Sequence, residues 1–403
     1  MSSLMQEQKS DYLILGAGII GMSIARAIKQ KKQNVVIHIL EKESAVGLHG
    51  SGRNSGVLHA GFYYTAHSLK AKFTREGNLA LQVYCEQKGL TINRCGKVVV
   101  AQNEAEIEGV KELYRRGQVN GVKVRLIDVK ELKEIDPNAK TLEIALHSPN
   151  TVTVDPVAIT RQVKQDLVDV GVQFFLNEGY QKRIDDHTIL SSQNRIFSAT
   201  RIINAAGLYA DKIAKDFGFS ADYTILPFKG IYLKYTKPDR MIQTNIYPVP
   251  NLANPFLGVH YTITVDGTIK IGPTAIPAFW RENYHGLSKF KWNELLHILG
   301  YETKLWWENR FNFRALAIEE MRKYHKGHFV DLAEKMVHSI DKTGFTEWSK
   351  PGIRAQLLNT KTLSLLQDFV VEGDQNTTHV LNAVSPAFTG SFPFGEWVVE
   401  QYL

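Results

Sequence analysis

The chain has 403 residues, 44% of them hydrophobic and 22% charged, which is enough to bury a sizeable core and predicts two domains. Its formal net charge of +7 comes from scattered basic residues, which excludes a basic arm or stripe for nucleic acid. Cys85 and Cys95 are the only cysteines, and their spacing excludes a disulfide framework and indicates no metal site.

No targeting segment is expected at the start of the chain. Residues 1–10 are polar and lack both an apolar segment and an Arg-rich amphipathic pattern. The apolar stretch at 12–28 contains three glycines and Arg26, which fit a strand, a turn and a helix better than a membrane span. We therefore expect a cytoplasmic protein, with peripheral contact at the inner membrane surface as the alternative.

The first structured segment carries a dinucleotide-binding pattern. The sequence DYLILGAGIIGMSIARAI reads as an apolar strand at 12–15, a GAGIIG turn and a helix. Gly16 permits the tight turn, Gly18 lets the backbone approach a pyrophosphate, and Gly21 lets the helix pack closely on the strand. The N-terminus of the helix, with Ile19 at its start, then faces the phosphates.

An acidic residue follows at the matching distance. A second strand, at 35–40, ends at Glu41, about twenty residues after Gly21, where a carboxylate is expected to accept the ribose hydroxyls. Lys42 is a further candidate contact beside it. Strand, glycine turn, helix and acid together predict a Rossmann-type βαβ unit.

The next segment favours FAD over NAD. Residues 48–64, LHGSGRNSGVLHAGFYY, form a long loop rich in glycine and hydroxyl groups, where an NAD domain usually proceeds directly to another helix. Its interleaved apolar residues argue against a flexible surface loop. We expect this loop to line an elongated cofactor, with His59 near the isoalloxazine ring. The candidate contacts to the pyrophosphate and ribityl region are Ser51, Gly52, Asn54, Ser55 and Gly56.

A third cofactor segment is predicted much later in the chain. Residues 201–211, RIINAAGLYAD, read as a buried strand ending in small residues, and Ala206 and Gly207 would let the backbone approach a ligand. Upstream, a short apolar strand at 172–176 leads to a turn at Tyr180. Backbone groups there could contact the adenine, although such a strand is more often simply core.

These segments resemble the D-amino-acid-oxidase-like superfamily of FAD enzymes, from Asp11 to Leu403. More narrowly, the chain is similar to the L-2-hydroxyglutarate oxidases and dehydrogenases. The narrower resemblance rests on GRNSGVLHAGFYY (52–64), LKAKFTREGNLALQVYCEQKGL (69–90), PFKG (227–230), NIYPVP (245–250), PFLGVHYTITVDGTIKIGPTA (255–275), GIRAQLL (352–358) and LNAVSP (381–386).

The expected fold class is α/β, α+β overall: a Rossmann-type FAD-binding domain with an inserted substrate domain built on a mixed or antiparallel sheet. The FAD-binding domain is expected at 10–80, 150–222 and 350–403, and the substrate domain at 81–149 and 223–349. Predicted strands of the second sheet are 97–102, 230–235, 256–265 and 268–272, with a tight hairpin at Asp266 and Gly267.

The segment 287–340 has helical spacing and many aromatic residues. We expect amphipathic helices whose aromatic side chains pack onto the sheet. The alternative is a membrane-surface or partner-binding patch.

The resemblance implies oxidation of L-2-hydroxyglutarate to 2-oxoglutarate, with hydride passing from Cα to flavin N5. Arg354, in a turn after Pro351 and Gly352, is the implied clamp for the α-carboxylate. His260 is the first candidate for the base that takes the hydroxyl proton, and His59 is the second. Lys229 either adds positive charge for the second carboxylate or is a solvated strand-end lysine. Further candidate pocket residues are Tyr63, Tyr247 and Arg281.

One stretch departs from the family pattern. After Pro386, where small residues are expected near the flavin, the sequence reads AFTGSFPFGEW. Ser385 and Thr389 are the flavin contacts expected there.

Two alternative functions stay open. The added bulk is compatible with a flavin-binding module without turnover, and the enzymatic alternative is oxidation of glycerol 3-phosphate or an amino acid. The expected partners are a small anionic substrate and, as electron acceptor, a quinone or oxygen.

Overall fold

The computed structural model describes residues 7–239, 241–250 and 257–403. Its helices are α1 Ile19–Lys31, α2 Leu69–Gln87, α3 Glu104–Val119, α4 Val129–Ile135, α5 Pro156–Asp169, α6 Ala210–Asp216, α7 Trp292–Glu308, α8 Phe313–Arg322, α9 Lys326–Glu334 and α10 Ser391–Tyr402. Its strands are β1 Gln8–Leu15, β2 Ile37–Glu41, β3 Val57–Leu58, β4 Ile92–Asn93, β5 Lys97–Val100, β6 Arg125–Asp128, β7 Ile144–Ser148, β8 Val152–Val154, β9 Gln173–Leu176, β10 Tyr180–Arg183, β11 Thr188–Ser191, β12 Ile196–Asn204, β13 Tyr223–Gly230, β14 Leu233–Tyr235, β15 Asn245–Pro248, β16 His260–Ile263, β17 Ile269–Gly272, β18 Ile276–Pro277, β19 Phe345–Trp348, β20 Gly352–Asn359, β21 Ser364–Leu365, β22 Val370–Gly373 and β23 Thr377–Asn382.

The chain divides into two compact units. The first comprises the chain up to Arg53 together with Pro156–Leu226 and Arg354–Leu403, and the second comprises Asn54–Asp155 and Pro227–Ile353. Residues 54–80, which the sequence prediction assigned to the FAD-binding domain, pack within the second unit.

The first unit is built on a largely parallel sheet with the strand order β10-β11-β12-β1-β2-β9. Strand β1 is parallel to β12 on one side and to β2 on the other, and β2 is parallel to β9. Strand β23 runs beside the C-terminal half of β12. The second half of β1 and all of β2 are buried, as expected for parallel strands covered on both faces. Helix α1 packs against α5 and α10.

The second unit contains a mixed sheet with the order β19-β14-β17-β16-β15-β5-β7-β6. Its neighbours are antiparallel except for the parallel pair β15 and β5. The predicted hairpin is confirmed: β16 pairs with β17, and Gly267 at its tip has a φ of +86°. The predicted strand at 256–265 begins at Phe256, which lies outside the described residues, and its described part is a strand from His260 to Ile263.

The predicted helices at 287–340 are present as α7, α8 and α9. Phe329 of α9 is buried in the core cluster that covers one face of the mixed sheet. The expectation that the aromatic residues of this segment pack onto the sheet is wrong for the indoles of α7, because Trp292 is 70% exposed and Trp307 is 73% exposed. Within the described part of the chain, no helix combines the length and apolarity needed to cross a bilayer.

Candidate functional site

The glycine turn of the first unit has no room for side chains at two of its positions. A Cβ on Gly16, whose φ is +109°, would lie 2.6 Å from the carbonyl oxygen of Ala205. A Cβ on Gly21 would lie 2.2 Å from the carbonyl oxygen of Gly16. At Gly18 the nearest atom to a Cβ would be the Ser51 hydroxyl oxygen, at 3.2 Å. Gly16 and Gly21 are therefore required by close backbone packing, whereas a Cβ on Gly18 would contact only the side chain of Ser51, on the side of the turn where a pyrophosphate is expected.

Glu41 is joined to this turn by hydrogen bonds. Its carboxylate accepts the backbone N–H of Ala17 at 3.0 Å and that of Glu43 at 3.0 Å. Burial raises the pKa of Glu41, and the two amides oppose this change. The carboxylate is therefore held in a fixed orientation at the end of β2, where a ribose is expected.

Ser51 lies at the N-terminus of α1. Its hydroxyl oxygen accepts the backbone N–H of Ile19 at 2.9 Å. The Ile19 amide, predicted to face the pyrophosphate, thus already has a hydroxyl acceptor. Lys42 bonds to Glu43 and lies 2.9 Å from Nε2 of His49.

The later cofactor segment lies beside the same turn. Ala205 donates its N–H to the carbonyl of Leu15 at 2.9 Å, which fixes the end of β12 against β1. Ala206 donates to the side chain of Asn204, and Gly207 has a φ of +54° with open space around it. The partly buried Ala206 therefore adjoins the glycine turn, and the next residue, Gly207, is exposed.

Tyr180 is placed at the start of β10. Its hydroxyl donates to Asp216 at 2.9 Å, and its ring lies beside Phe217. The backbone N–H and carbonyl of the preceding Gly179 are both bonded to Ser192. The adenine contact expected at Tyr180 stays a prediction.

The second unit contains a stacked pair of rings from neighbouring strands. Tyr247 of β15 and His260 of β16 face each other across the ladder, with ring centroids 3.7 Å apart and planes 17° apart. Nδ1 of His260 lies 2.8 Å from the carbonyl oxygen of Gly258. Because a carbonyl only accepts, Nδ1 carries the proton, and the lone pair of the neutral ring is on Nε2.

Lys97, the first residue of β5, is the buried cation of this cluster. Its side chain is fully buried, and its Nζ lies 3.3 Å from Nδ1 of His59 and 3.9 Å from the centroid of the Tyr247 ring. Burial lowers the pKa of Lys97 to about 7. Burial also lowers the pKa of His59, and the charge of Lys97 lowers it further, so that His59 is neutral. The strand predicted at 97–102 begins at Lys97, and no sequence pattern predicted a role for this lysine in the site.

Two further basic candidates of the second unit are buried. Lys229 of β13 is 9% exposed, and its Nζ donates to the side chain of Asn283 at 3.3 Å. Burial lowers the pKa of Lys229. Arg281 is 2% exposed. The alternative that Lys229 is a solvated strand-end lysine is therefore wrong.

Residues 54–56 form a local turn before β3. The side chain of Asn54 accepts the N–H of Gly56 at 2.9 Å, and that of Ser55 accepts the N–H of Val57 at 3.3 Å. Lys270 donates to the carbonyl of Ser55 at 3.1 Å. These short side chains order the backbone here, and the following residues Val57 and Leu58 are buried.

Comparisons with known proteins identify the family of the chain. The family model described as FAD dependent oxidoreductase matches residues 11–401. The chain belongs to this family of FAD-dependent oxidoreductases. A relative named L-2-hydroxyglutarate dehydrogenase, from Indibacter alkaliphilus, is 35% identical over 97% of this chain and 99% of its own length. The human mitochondrial L-2-hydroxyglutarate dehydrogenase is 33% identical over 97% of this chain and 88% of its own length.

A solved structure shares the fold of this FAD-dependent oxidoreductase. It is the dithionite-reduced L-α-glycerophosphate oxidase from Mycoplasma pneumoniae with FAD bound, which has a TM-score of 0.76 and 21% identity over 98% of this chain and 94% of its own. The expected α/β fold and FAD as cofactor are thereby confirmed.

The C-terminal stretch of this FAD-dependent oxidoreductase accounts for the unusual bulk after Pro386. The ring of Phe392 packs on the guanidinium of Arg26 at 4.3 Å, and Phe394 stacks on Phe369 at 4.5 Å. Both rings are buried in the packing of α10 within the first unit. The bulk of these two residues serves the core and therefore does not indicate a module without turnover.

Three predicted contacts of the oxidoreductase lie in or near the C-terminal strands. Ser385 is exposed and Thr389 is buried in the segment between β23 and α10. Arg354 is the partly buried third residue of β20. Its predicted position in a turn is wrong, because the backbone is already extended from Gly352 onward.

Proposed function

We propose that the enzyme oxidises L-2-hydroxyglutarate to 2-oxoglutarate. The full-length relatives that carry the name L-2-hydroxyglutarate dehydrogenase support this substrate. The observation that carries the mechanism is the hydrogen bond from His260 Nδ1 to Gly258, since it leaves a lone pair on Nε2. Oxidation of an alcohol needs such an acceptor for the hydroxyl proton.

The first unit carries most of the proposed FAD contacts. The missing side chain at Gly18 lets the backbone approach the pyrophosphate, Glu41 accepts the ribose hydroxyls, and Ser51 donates to a phosphate oxygen. When bound, FAD supplies the acceptor at flavin N5 for the hydride that leaves the substrate Cα. The further contacts proposed for it are Gly16, Ile19, Gly21, Lys42, Asn54, Ser55, Gly56, Tyr180, Ala206, Gly207, Ser385 and Thr389.

His260 is our proposed base, and His59 is not. His260 Nε2 accepts the hydroxyl proton while Nδ1 keeps its bond to Gly258, so that the ring is held in place as it becomes charged. Stacking on Tyr247 restricts the ring further. His59 lies beside the ammonium of Lys97, which disfavours a second positive charge there.

The two carboxylates of the substrate require positive charge. Arg354 is the proposed clamp for the α-carboxylate, because a guanidinium offers a bidentate fork. Lys229 is proposed to bind the second carboxylate, with Arg281 as a further candidate. Among the described residues the hydrogen-bond partner of this buried ammonium is the neutral Asn283, so it gains more from an anion than a solvated lysine would. The buried hydroxyl of Tyr63, which has no hydrogen-bond partner among the described residues, is proposed to bond to the substrate.

The substrate is tested by anaerobic reduction of the flavin in purified holoenzyme. L-2-hydroxyglutarate is expected to bleach the flavin absorbance, whereas its D-enantiomer, glycerol 3-phosphate and L-glutamate are expected to leave it unchanged. Bleaching by glycerol 3-phosphate or the amino acid, with none by L-2-hydroxyglutarate, would overturn the substrate assignment. A flavin that stays oxidised with every compound would support a module without turnover.

Electrons must then leave the reduced enzyme. A quinone and oxygen are the two proposed acceptors, and they are distinguished by comparing reoxidation by a water-soluble quinone with reoxidation by dissolved oxygen.

The exposed indoles of Trp292 and Trp307 support a proposal of peripheral membrane contact. Co-sedimentation with anionic vesicles tests it, and equal recovery of enzyme with and without vesicles would contradict it.

A further inference from the structure

We infer that Lys97 is a positioning residue: its ammonium fixes His59 as an Nε2–H hydrogen-bond donor and thereby leaves His260 as the base. The assignment of the base rests on the proposed function. The tautomer of the His59 ring does not, because it is argued from the hydrogen bond between Lys97 and His59.

The first observation is the place of Lys97 in the sheet. Strand β5 lies between β15 and β7, and along it Val98 and Val100 enter one core cluster while Val99 enters the other. Lys97 shares a face with Val99, because side chains alternate along a strand. Its side chain therefore enters the core layer that contains Phe62, Tyr63 and Tyr247.

The second observation is what surrounds the ammonium. Its Nζ lies 3.9 Å from the ring centroid of Tyr247, 5.1 Å from that of Tyr63 and 5.7 Å from that of Phe62. None of the described carboxylates forms an ion pair with it. Aromatic faces attract a cation but accept no strong hydrogen bond, so they stabilise the charge without taking its directional N–H groups.

The third observation is the hydrogen bond itself. Nζ lies 3.3 Å from Nδ1 of His59. An ammonium only donates, so Nδ1 must accept, and a neutral His59 ring then carries its proton on Nε2. His260 has the opposite arrangement, with its proton on Nδ1 facing Gly258. The two histidines are therefore held in complementary tautomers, one able to donate from Nε2 and the other able to accept there.

The tautomers are tested by NMR of holoenzyme carrying 15N-labelled histidine. Two-bond ring correlations distinguish Nδ1–H from Nε2–H imidazole, and the His59 signals are assigned by their loss in His59→Gln. The spectra are recorded at pH 6, below the value of about 7 to which burial lowers the pKa of Lys97. We expect the Nε2–H form for His59 in the unsubstituted enzyme. An Nδ1–H form there would overturn the inference, even if no variant folds.

Two substitutions separate positioning from packing. Lys97→Met keeps most of the side-chain volume and removes the donor, so we expect loss of the pure Nε2–H form of His59 and an at least tenfold lower rate of flavin reduction at saturating substrate. Lys97→Arg retains charge and donors, so partial recovery of both readouts is expected. Lys70→Met, at a buried lysine of α2, is the matched control and should leave the His59 signals unchanged.

The outcomes also distinguish this inference from the proposed function. If L-2-hydroxyglutarate fails to reduce the flavin while His59 is the Nε2–H tautomer, the substrate assignment fails and the role of Lys97 stands. If the substrate reduces the flavin and Lys97→Met leaves the His59 tautomer and the rate unchanged, the role of Lys97 is refuted and the substrate assignment stands.

Discussion

The carboxylate of Glu41 accepts the backbone N–H of Ala17 at 3.0 Å, so the end of the second strand is bonded directly to the glycine turn. The same carboxylate accepts the N–H of Glu43. One side chain thus orders the two backbone segments between which the adenosine half of FAD is expected to lie. Both oxygens retain a second lone pair for the ribose hydroxyls.

Glu41→Gln should weaken FAD binding by about tenfold or more. The amide NH2 of glutamine would face one of the two backbone N–H donors, and losing a hydrogen bond to a charged group costs about 1.5–3 kcal/mol. Fluorescence titration of apoprotein with FAD measures the dissociation constant. Glu400→Gln, on the exposed side of α10, is the control. An unchanged dissociation constant for Glu41→Gln would show that this carboxylate does not hold the nucleotide.

Two alanine substitutions in the glycine turn should have different consequences. Gly21→Ala places a methyl group 2.2 Å from the Gly16 carbonyl oxygen, so we expect the free energy of unfolding to decrease by about 1–3 kcal/mol. Gly18→Ala meets only the Ser51 hydroxyl, at 3.2 Å, so the apoprotein should lose less stability than Gly21→Ala but bind FAD at least about tenfold more weakly. Denaturant unfolding of the two apoproteins measures their stabilities, and titration with FAD measures their affinities for the cofactor. Equal loss of stability in the two variants would refute the expected contrast.

The parts of the site that the sequence predicted are those encoded by local spacing. Gly16, Gly18, Gly21 and Glu41 lie within one βαβ unit, where strand and helix geometry fixes their positions relative to one another. Lys97 was missed because a lysine at the start of a strand is usually solvated. It is buried because β15, about 150 residues later in the chain, pairs with β5, and no local pattern contains that pairing.

Local sequence spacing also fails to predict the orientation and the exposure of side chains. His260 was predicted from the family resemblance, but its tautomer depends on the carbonyl of Gly258 and its stacking on the pairing of β15 with β16. The aromatic residues of α7 have the period of an amphipathic helix, yet Trp292 and Trp307 are exposed. A hydrophobic period identifies a face of a helix without identifying what, if anything, covers it.

His260→Asn should lower kcat/KM by about 10²- to 10⁴-fold, the usual contribution of a general base. The asparagine amide can donate to Gly258 in place of Nδ1, while the acceptor at Nε2 is lost. Stopped-flow reduction of the flavin measures the effect, and the FAD content of the variant confirms that the cofactor is retained. His59→Asn at the same residual rate as His260→Asn would contradict the assignment of a single base.

Lys229→Met should act on substrate selection more than on turnover. Removing the buried ammonium should raise KM for L-2-hydroxyglutarate by about tenfold or more, because a charge-assisted hydrogen bond to the second carboxylate is lost. KM for L-2-hydroxybutyrate, which lacks that carboxylate, should change little. Steady-state kinetics with both substrates decides the point, and a parallel increase for both would show that Lys229 does not select the dicarboxylic acid.

His379 should make stability depend on pH. The ring is buried in β23 beside Phe217 and Phe219, and burial lowers its pKa to about 4 from an ordinary value of 6.5. Between these values the unfolded chain binds the proton and the folded chain does not. Stability is therefore retained in full above about pH 6.5 and falls as the pH decreases towards 4, by about 3 kcal/mol in total.

His379→Asn should flatten this pH dependence. Asparagine can still accept the hydrogen bond that Asn204 directs at Nδ1, at 3.2 Å, but it has no group that titrates in this range. Urea unfolding of holoenzyme at intervals from pH 4.5 to 7.5 gives the comparison, with the exposed His338→Asn as the control that should follow the unsubstituted enzyme. If His379→Asn loses stability on acidification as steeply as the unsubstituted enzyme, the proton responsible binds elsewhere, because burial of this ring would then contribute nothing to the slope.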